Sequence, residues 1–218
     1  MAEAEALLAR ASLWQWAARA FWYPEGAYLA DLRDRTIWRE LADLAALVDA
    51  VVATALARFR RAARLRPGAG PDLPEEHTFL FARQVPVSPH GTAYAPALGA
   101  DRAQELAKIG SFYAAFGFQV SDARRELPDH VCLELEFVAA LLIKEAYALT
   151  QGWAERAALT RAARGRFLEE HLGRWLPLFA GRLEQHARLA FYPGAAELAL
   201  ALLAPDTAAD MAGGDPSA

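Results

Sequence analysis

The chain has 218 residues, 55% of them hydrophobic and 23% charged, with a formal net charge of −4. That length and apolar share suit one domain with a real core, and the acidic balance argues against a protein that coats nucleic acid. The only cysteine, Cys132, cannot form an intrachain disulfide; it fits a reducing compartment and reads as a small buried hydrophobe.

Alanine and leucine dominate the apolar share, and no long alternating Val/Ile/Thr run suggests a sheet, so the expected fold class is all-α, a single helical bundle. A first helix spans residues 4–21 on the spacing of Leu7, Leu8, Ala11, Trp14 and Ala18, and stops at Tyr23-Pro24. A short one covers 26–32. A long one runs from Thr36 to about Leu65 with Leu41, Leu44, Val48, Val51, Val52 and Ala55 as its apolar stripe. Pro67, Gly68, Gly70, Pro71 and Pro74 break it, giving a possible hinge at 67–74. Trp14, Trp16, Trp22 and Trp38 read as aromatic core packing of these first helices.

A short amphipathic turn or helix follows at 75–81. Two prolines and a glycine then impose an extended loop on Val85-Pro86-Val87-Ser88-Pro89-His90-Gly91. Helical periodicity resumes over 101–116 and ends before Gly117. The helix opening at Pro128-Asp129-His130 is apolar on nearly every side, through Val131, Leu133, Leu135, Phe137, Val138, Leu141 and Leu142, and belongs at the centre of the bundle. Glu134, Glu136, Lys144 and Glu145 interrupt it and exclude a membrane span. Further helices cover 154–173 and 175–191, kinked or separated near Pro177, and 194–203. Residues 205–218 read as a disordered tail after a domain of 1–204. The first ten residues carry Glu3 and Glu5 and lack the pattern of a signal peptide, so the expected location is the cytoplasm.

Catalytic and metal signatures are poor. The five histidines form no Glu-x-x-His, His-x-x-His or His-Glu-x-x-His, and there is no phosphate loop and no Gly-x-Ser-x-Gly elbow. The expectation is no metal, no cofactor and no enzyme. Two constellations remain. In Pro128-Asp129-His130-x-x-x-Glu134, proline suits the first turn, Asp129 suits the helix start as a cap or as dipole partner, and His130 and Glu134 share a face and could pair. The readings are a capped helix with a local ion pair, a metal site short of ligands, or a recognition site. In the loop from Pro86 to Tyr94, proline stiffening beside Phe79, Phe81 and Tyr94 suits either a rigid connection or a surface on which an apolar peptide docks at small entropic loss.

At these two loops the sequence resembles the TorD-like chaperones that mature molybdenum-containing oxidoreductases. One motif, Glu-x-Pro-Asp-His-x-x-x-Glu-Leu, is matched from Glu126 to Leu135. A Leu-Phe pair followed by a proline-rich run ending in an aromatic residue is matched by Leu80-Phe81 and Pro86 to Tyr94. There, Thr92 stands for the usual serine, His90 for an aromatic residue, and Ala82 to Val85 for a Gly-Pro stretch. His-Leu-x-x-Trp and a following proline are matched by His171, Leu172, Trp175 and Pro177. The resemblance implies a TorD-like all-helical fold that binds the twin-arginine leader, or a nearby region, of the catalytic subunit of a molybdopterin oxidoreductase. It also implies a hold on that subunit until its cofactor is inserted, and a monomer or a domain-swapped dimer. The peptide-binding residues it implies are Phe81, Pro86, Pro89, His90, Thr92, Tyr94, Pro128, Asp129, His130 and Glu134, with Asp129, Glu134 and Glu75 or Glu76 meeting the leader's charges. The rival readings are a helical small-molecule binding or sensor protein lined by the N-terminal tryptophans, and an enzyme using His130 and Glu134 as an acid/base pair.

Overall fold

The computed structural model describes residues 2–64, 72–94, 101–121 and 126–212, with side chains up to Leu203. Residues 67–71 of the expected hinge and 213–218 of the expected tail lie outside the described residues. In chain order the helices are α1 (Ala2–Phe21), α2 (Gly26–Asp31), α3 (Arg35–Val48), α4 (Ala50–Ala62), α5 (Leu73–His77), α6 (Arg102–Ala115), α7 (Val131–Thr150), α8 (Ala154–Phe167), α9 (Gly173–His186) and α10 (Phe191–Ala212). No strand forms among the described residues, and none of their helices is long and apolar enough to cross a membrane.

Aspartates set many of the helix starts. Asp34, Asp49, Asp72 and Asp101 each sit in extended backbone and accept a free N–H of the first turn, from Thr36, Val52, Glu75 and Gln104. One of these divides the single long helix expected from Thr36 to Leu65. Asp49 adopts φ −169°, ψ 169°, ends α3 and caps α4 through a 2.8 Å bond from Val52 N–H. Both halves carry the expected stripe, so periodicity alone hides the break, while the aspartate's local hydrogen bond competes with continuation.

The centre is α7, buried from Val131 to Leu142 on almost every face, with α1, α8 and the wide turn after α8 packed around it. Helices α3 and α4 form a hairpin whose inner residues, Trp38, Leu41, Val52, Leu56 and Phe59, close against α1 and α10. Trp16 lies between Tyr28 and Trp38, and the Trp38 indole donates to the Leu32 carbonyl at 2.9 Å. Cys132 is fully buried.

The irregularity expected near Pro177 falls earlier, at Leu168–Leu172. Pro177 lies inside α9, while Leu168–Leu172 forms a wide π turn between α8 and α9. A β-carbon on Gly173 would lie 2.5 Å from the Leu168 carbonyl oxygen, so the wide turn closes only over glycine. A second π turn, Thr78–Arg83, follows α5 and delivers the chain into the proline-rich loop. The backbone of α10 continues to Ala212, past the Leu203 end read from the sequence.

Candidate functional site

The proline-rich loop and the start of α7 are laced together. Leu80 accepts the Val87 N–H at 3.4 Å, anchoring the loop's entrance to the π turn. Just before it, Val85 adopts φ +47°, a left-handed conformation that a β-branched side chain disfavours. Farther on, Pro89 and Gly91 face the turn before α7 as an isolated antiparallel bridge centred on His90 and His130. Val131 N–H donates to the Pro89 carbonyl at 2.8 Å, and Gly91 N–H to the Asp129 carbonyl at 2.9 Å. The short 3-10 turn Gly91–Ala93 then ends at Tyr94, whose hydroxyl donates back to the Ser88 carbonyl at 3.0 Å.

Asp129 is the hub. Its carboxylate has no solvent exposure and accepts the Thr92 N–H at 2.9 Å and the Thr92 hydroxyl at 2.6 Å, while its other oxygen lies 3.2 Å from His90 Nδ1. Burial on its own would push this carboxyl up, but the hydrogen bonds from His90 and Thr92 together outweigh it and hold Asp129 below the usual carboxylate range. The aspartate therefore does not cap α7. His130 does: its Nδ1 accepts the Cys132 N–H at 3.3 Å. Burial, with the neighbouring His90 charge next, holds His130 down to about 3, so the ring is a neutral acceptor. It stacks on Trp22 at 5.0 Å and 12°, and the Trp22 indole donates to Glu136 at 2.8 Å.

The expected His130–Glu134 pair is not made. Glu134 turns to Trp175 on α9, whose indole N–H donates to Oε2 at 3.2 Å, while Oε1 has no hydrogen-bond partner. Complete burial pushes the Glu134 carboxyl well above its ordinary range, and the charges of Asp129 and Glu105 add to the rise. Trp175 stacks on Tyr94, and a β-carbon on Gly91 would lie 2.8 Å from its indole nitrogen, so only glycine admits the ring.

Of the ten residues named from sequence, Pro89, His90, Thr92, Tyr94, Pro128, Asp129, His130 and Glu134 thus fall on or beside this clasp, with Pro86 half-buried on the loop. Phe81 is set apart among His77, Phe179 and Tyr192, with ring centroids 5.0, 6.3 and 5.2 Å away. Three of the carboxylates expected to meet a leader's charges, Glu76, Asp129 and Glu134, are fully buried; Glu76 accepts the Arg188 and Leu189 N–H groups and the Arg188 side chain. The described rim offers Val85 and Leu127 as exposed apolar groups and the carboxylate of Glu126, while Glu75, exposed at the start of α5, is ion-paired with Arg188 at 3.4 Å. Glu126 lies 4.0 Å from His90 Nε2. Sequence reasoning missed Trp22, Trp175, Gly91 and Tyr113, whose hydroxyl donates to the Pro128 carbonyl at 2.8 Å. Trp175 carried a signal through the His-Leu-x-x-Trp pattern, and Gly91 through its place in the proline-rich loop, while Trp22 read only as core packing. Among the described residues no cluster of three or more His, Cys, Asp or Glu is arranged to hold a metal ion.

A family model described as the nitrate reductase delta subunit matches residues 45–181, a stretch holding the loop, the start of α7 and the first part of α9. A selenate reductase assembly chaperone protein from Thauera selenatis is 46% identical over 90 residues, 41% of this chain and 44% of that protein. A chlorate reductase assembly chaperone protein from Ideonella dechloratans is 43% identical over 79 residues, 36% of this chain and 40% of that protein. The chaperone protein TorD of Vibrio cholerae serotype O1 (strain M66-2) is 32% identical over 130 residues, 59% of this chain and 56% of that protein. The chain thus spans about half the length, or somewhat less, of the curated relatives it matches. With the matched region covering more than half of the sequence, the chain belongs to the nitrate reductase delta subunit family.

Proposed function

We propose that this protein is an assembly chaperone for the catalytic subunit of a molybdopterin-dependent oxidoreductase, and that it binds the leader, or a region near it, on the face built by the proline loop and the start of α7. The observation that carries the reading is the Asp129 clasp. It fixes a proline-stiffened loop before any peptide arrives, which reduces the ordering entropy of binding. The names of the relatives, assembly chaperones for selenate and chlorate reductases, support the class of client and speak for a chaperone over an enzyme.

In this reading the buried carboxylates position the loop and the rim makes the contact. Val85, Pro86 and Leu127 supply apolar surface, and Glu126 supplies negative charge for a twin-arginine pair. Binding in the cytoplasm holds the apo subunit back from export or assembly until its cofactor is in place. The test has two arms. Co-purification from the native cell under cofactor starvation is expected to bring down a molybdoenzyme catalytic subunit. Calorimetry with that subunit's leader peptide is then expected to show affinity reduced at least about tenfold by Leu127→Asp or Glu126→Lys. A leader that binds both variants as tightly as wild type overturns the placement, and the absence of any molybdoenzyme subunit in the eluate overturns the class of client.

A further inference from the structure

At the far end of α7 from the clasp, the bundle leaves a groove open. It runs between the C-terminal ends of α6 and α7 and the first turns of α8, a cleft of about 570 Å³ lined by Phe116, Ile143, Tyr147, Trp153 and Leu159 among others. Tyr147 is 57% exposed and Leu159 65%, and Ile143 and Trp153 are exposed as well, so several large apolar side chains face solvent in one concave place. Apolar residues scattered singly on a surface need no explanation, whereas a contiguous set in a groove marks an interaction site.

The groove's charge has one sign. Lys144 and Arg156 line it and no acidic side chain does. Arg156 lies over the Trp153 ring at 4.5 Å, which places its guanidinium at the wall of the cleft. The N-terminus of α8 opens beside it. Trp153 occupies the N-cap position and gives no side-chain cap, so the first N–H groups of a 14-residue helix add partial positive charge, offset in part by Glu155 in the same turn. Gly152, at φ +69°, makes the tight turn that brings α7 and α8 together there.

We infer that this groove docks an acidic amphipathic helix of a partner polypeptide, its apolar stripe between Tyr147 and Leu159 and its flanking Glu or Asp side chains on Lys144, Arg156 and the start of α8. A furrow between two packed helices accepts a third by interleaving side chains, and i, i+3, i+4, i+7 anchors fit it. The charge sense is opposite to what a basic leader requires, so the groove and the clasp select different segments. The inference does not depend on which enzyme is the client.

The probe is a side-chain-stapled amphipathic helical peptide with leucines on one stripe and glutamates on both flanks, labelled with fluorescein; its control carries lysine for every glutamate. Fluorescence anisotropy with the full chain is expected to show the acidic peptide binding at least about tenfold more tightly than the basic one. Leu159→Asp is expected to remove that binding, and Arg156→Glu to invert the preference; both positions are on the surface, and unchanged circular dichroism and melting temperature control for folding. Neither variant is expected to alter binding of a leader peptide at the clasp, so this inference fails separately from the proposed function. Equal binding of the two peptides, or binding that survives Leu159→Asp, overturns it. So does a dimer in light scattering that Leu159→Asp dissolves, which would make a second copy the occupant. Retention on anionic phospholipid vesicles that depends on Trp153 would likewise replace the helix with a membrane surface.

Discussion

Removing the Asp129 carboxylate tests whether the two loops are held by one side chain. In Asp129→Ala the Thr92 N–H, buried and aimed at Oδ2, loses its acceptor, as do the Thr92 hydroxyl and His90 Nδ1. Hydrogen bonds to a charged acceptor contribute about 1.5–3 kcal/mol each, and the orphaned N–H adds a desolvation penalty of about 1–3 kcal/mol. The hydroxyl and the half-exposed His90 can turn to other partners, so the expected loss is about 3–4 kcal/mol, a large share of the 5–15 kcal/mol typical of a domain. Asp129→Asn keeps one oxygen for Thr92 and is expected to lose about 1–2 kcal/mol. Urea unfolding reads both values. Hydrogen exchange should show deprotection of Thr92, Gly91 and Val131, the amides that cross between the loops or return to Asp129. If Asp129→Ala stays within about 0.5 kcal/mol of wild type with those amides still protected, the clasp is not what holds the loop. Leader affinity should fall with the loop's order, even though the aspartate itself is out of a ligand's reach.

Glu134→Gln should gain stability relative to wild type as pH rises. The folded-state carboxyl is raised, so between its unfolded value and that raised value the folded protein keeps a proton the unfolded chain has released, and wild-type stability falls by up to about 1.4 kcal/mol per pH unit. Glutamine does not titrate; a difference in urea midpoints that stays constant from pH 5 to pH 8 would refute the assignment. Val85→Gly should raise stability by up to about 1 kcal/mol, since relief of the left-handed strain exceeds glycine's added chain entropy, while weakening leader binding through the lost exposed side chain; thermal melts and calorimetry separate the two effects. Gly91→Ala forces the Trp175 indole off Glu134 and Tyr94 and should cost about 1–3 kcal/mol with a shift in tryptophan emission; an unchanged spectrum would show that the ring yields freely.

The architecture was legible where one physical signal dominates. The all-round apolar pattern of α7 demanded a central position, and it is buried on nearly every face. Breaks were less legible. Asp49 stops a helix whose apolar stripe runs on unbroken through Val48, Val51 and Val52, because a single capping hydrogen bond is invisible to periodicity. At the clasp, sequence placed Asp129, His130 and Thr92 near one another through two motifs, but it assigned roles by proximity along the chain. Helix spacing offers Asp129 as a cap or a dipole partner, and Glu134 as a partner His130 could reach. In the fold, the loop from Pro86 to Tyr94 arrives with donors that outbid the helix's own N–H groups for Asp129, and α9 brings Trp175 to Glu134. Partners 37 and 41 residues apart cannot be read from helix spacing.

Those exchanged roles bear on how a peptide would be recognised. A carboxylate that met a leader's arginines directly would have to stay solvated when free, and could not also be spent on Thr92. Asp129 is spent, and Glu134 is driven toward its neutral form by burial. Negative charge accessible to a ligand near the clasp therefore sits outside the two buried carboxylates, at Glu126, two residues before the proline that opens the turn. Exposed charges of this kind are screened by salt, whereas the apolar rim and the fixed loop are not. Leader binding should accordingly weaken only modestly between low and physiological ionic strength, with the residual affinity lost in Leu127→Asp. A steep salt dependence that Asp129→Asn abolishes would restore the buried carboxylate as a direct contact and require the loop to open on binding.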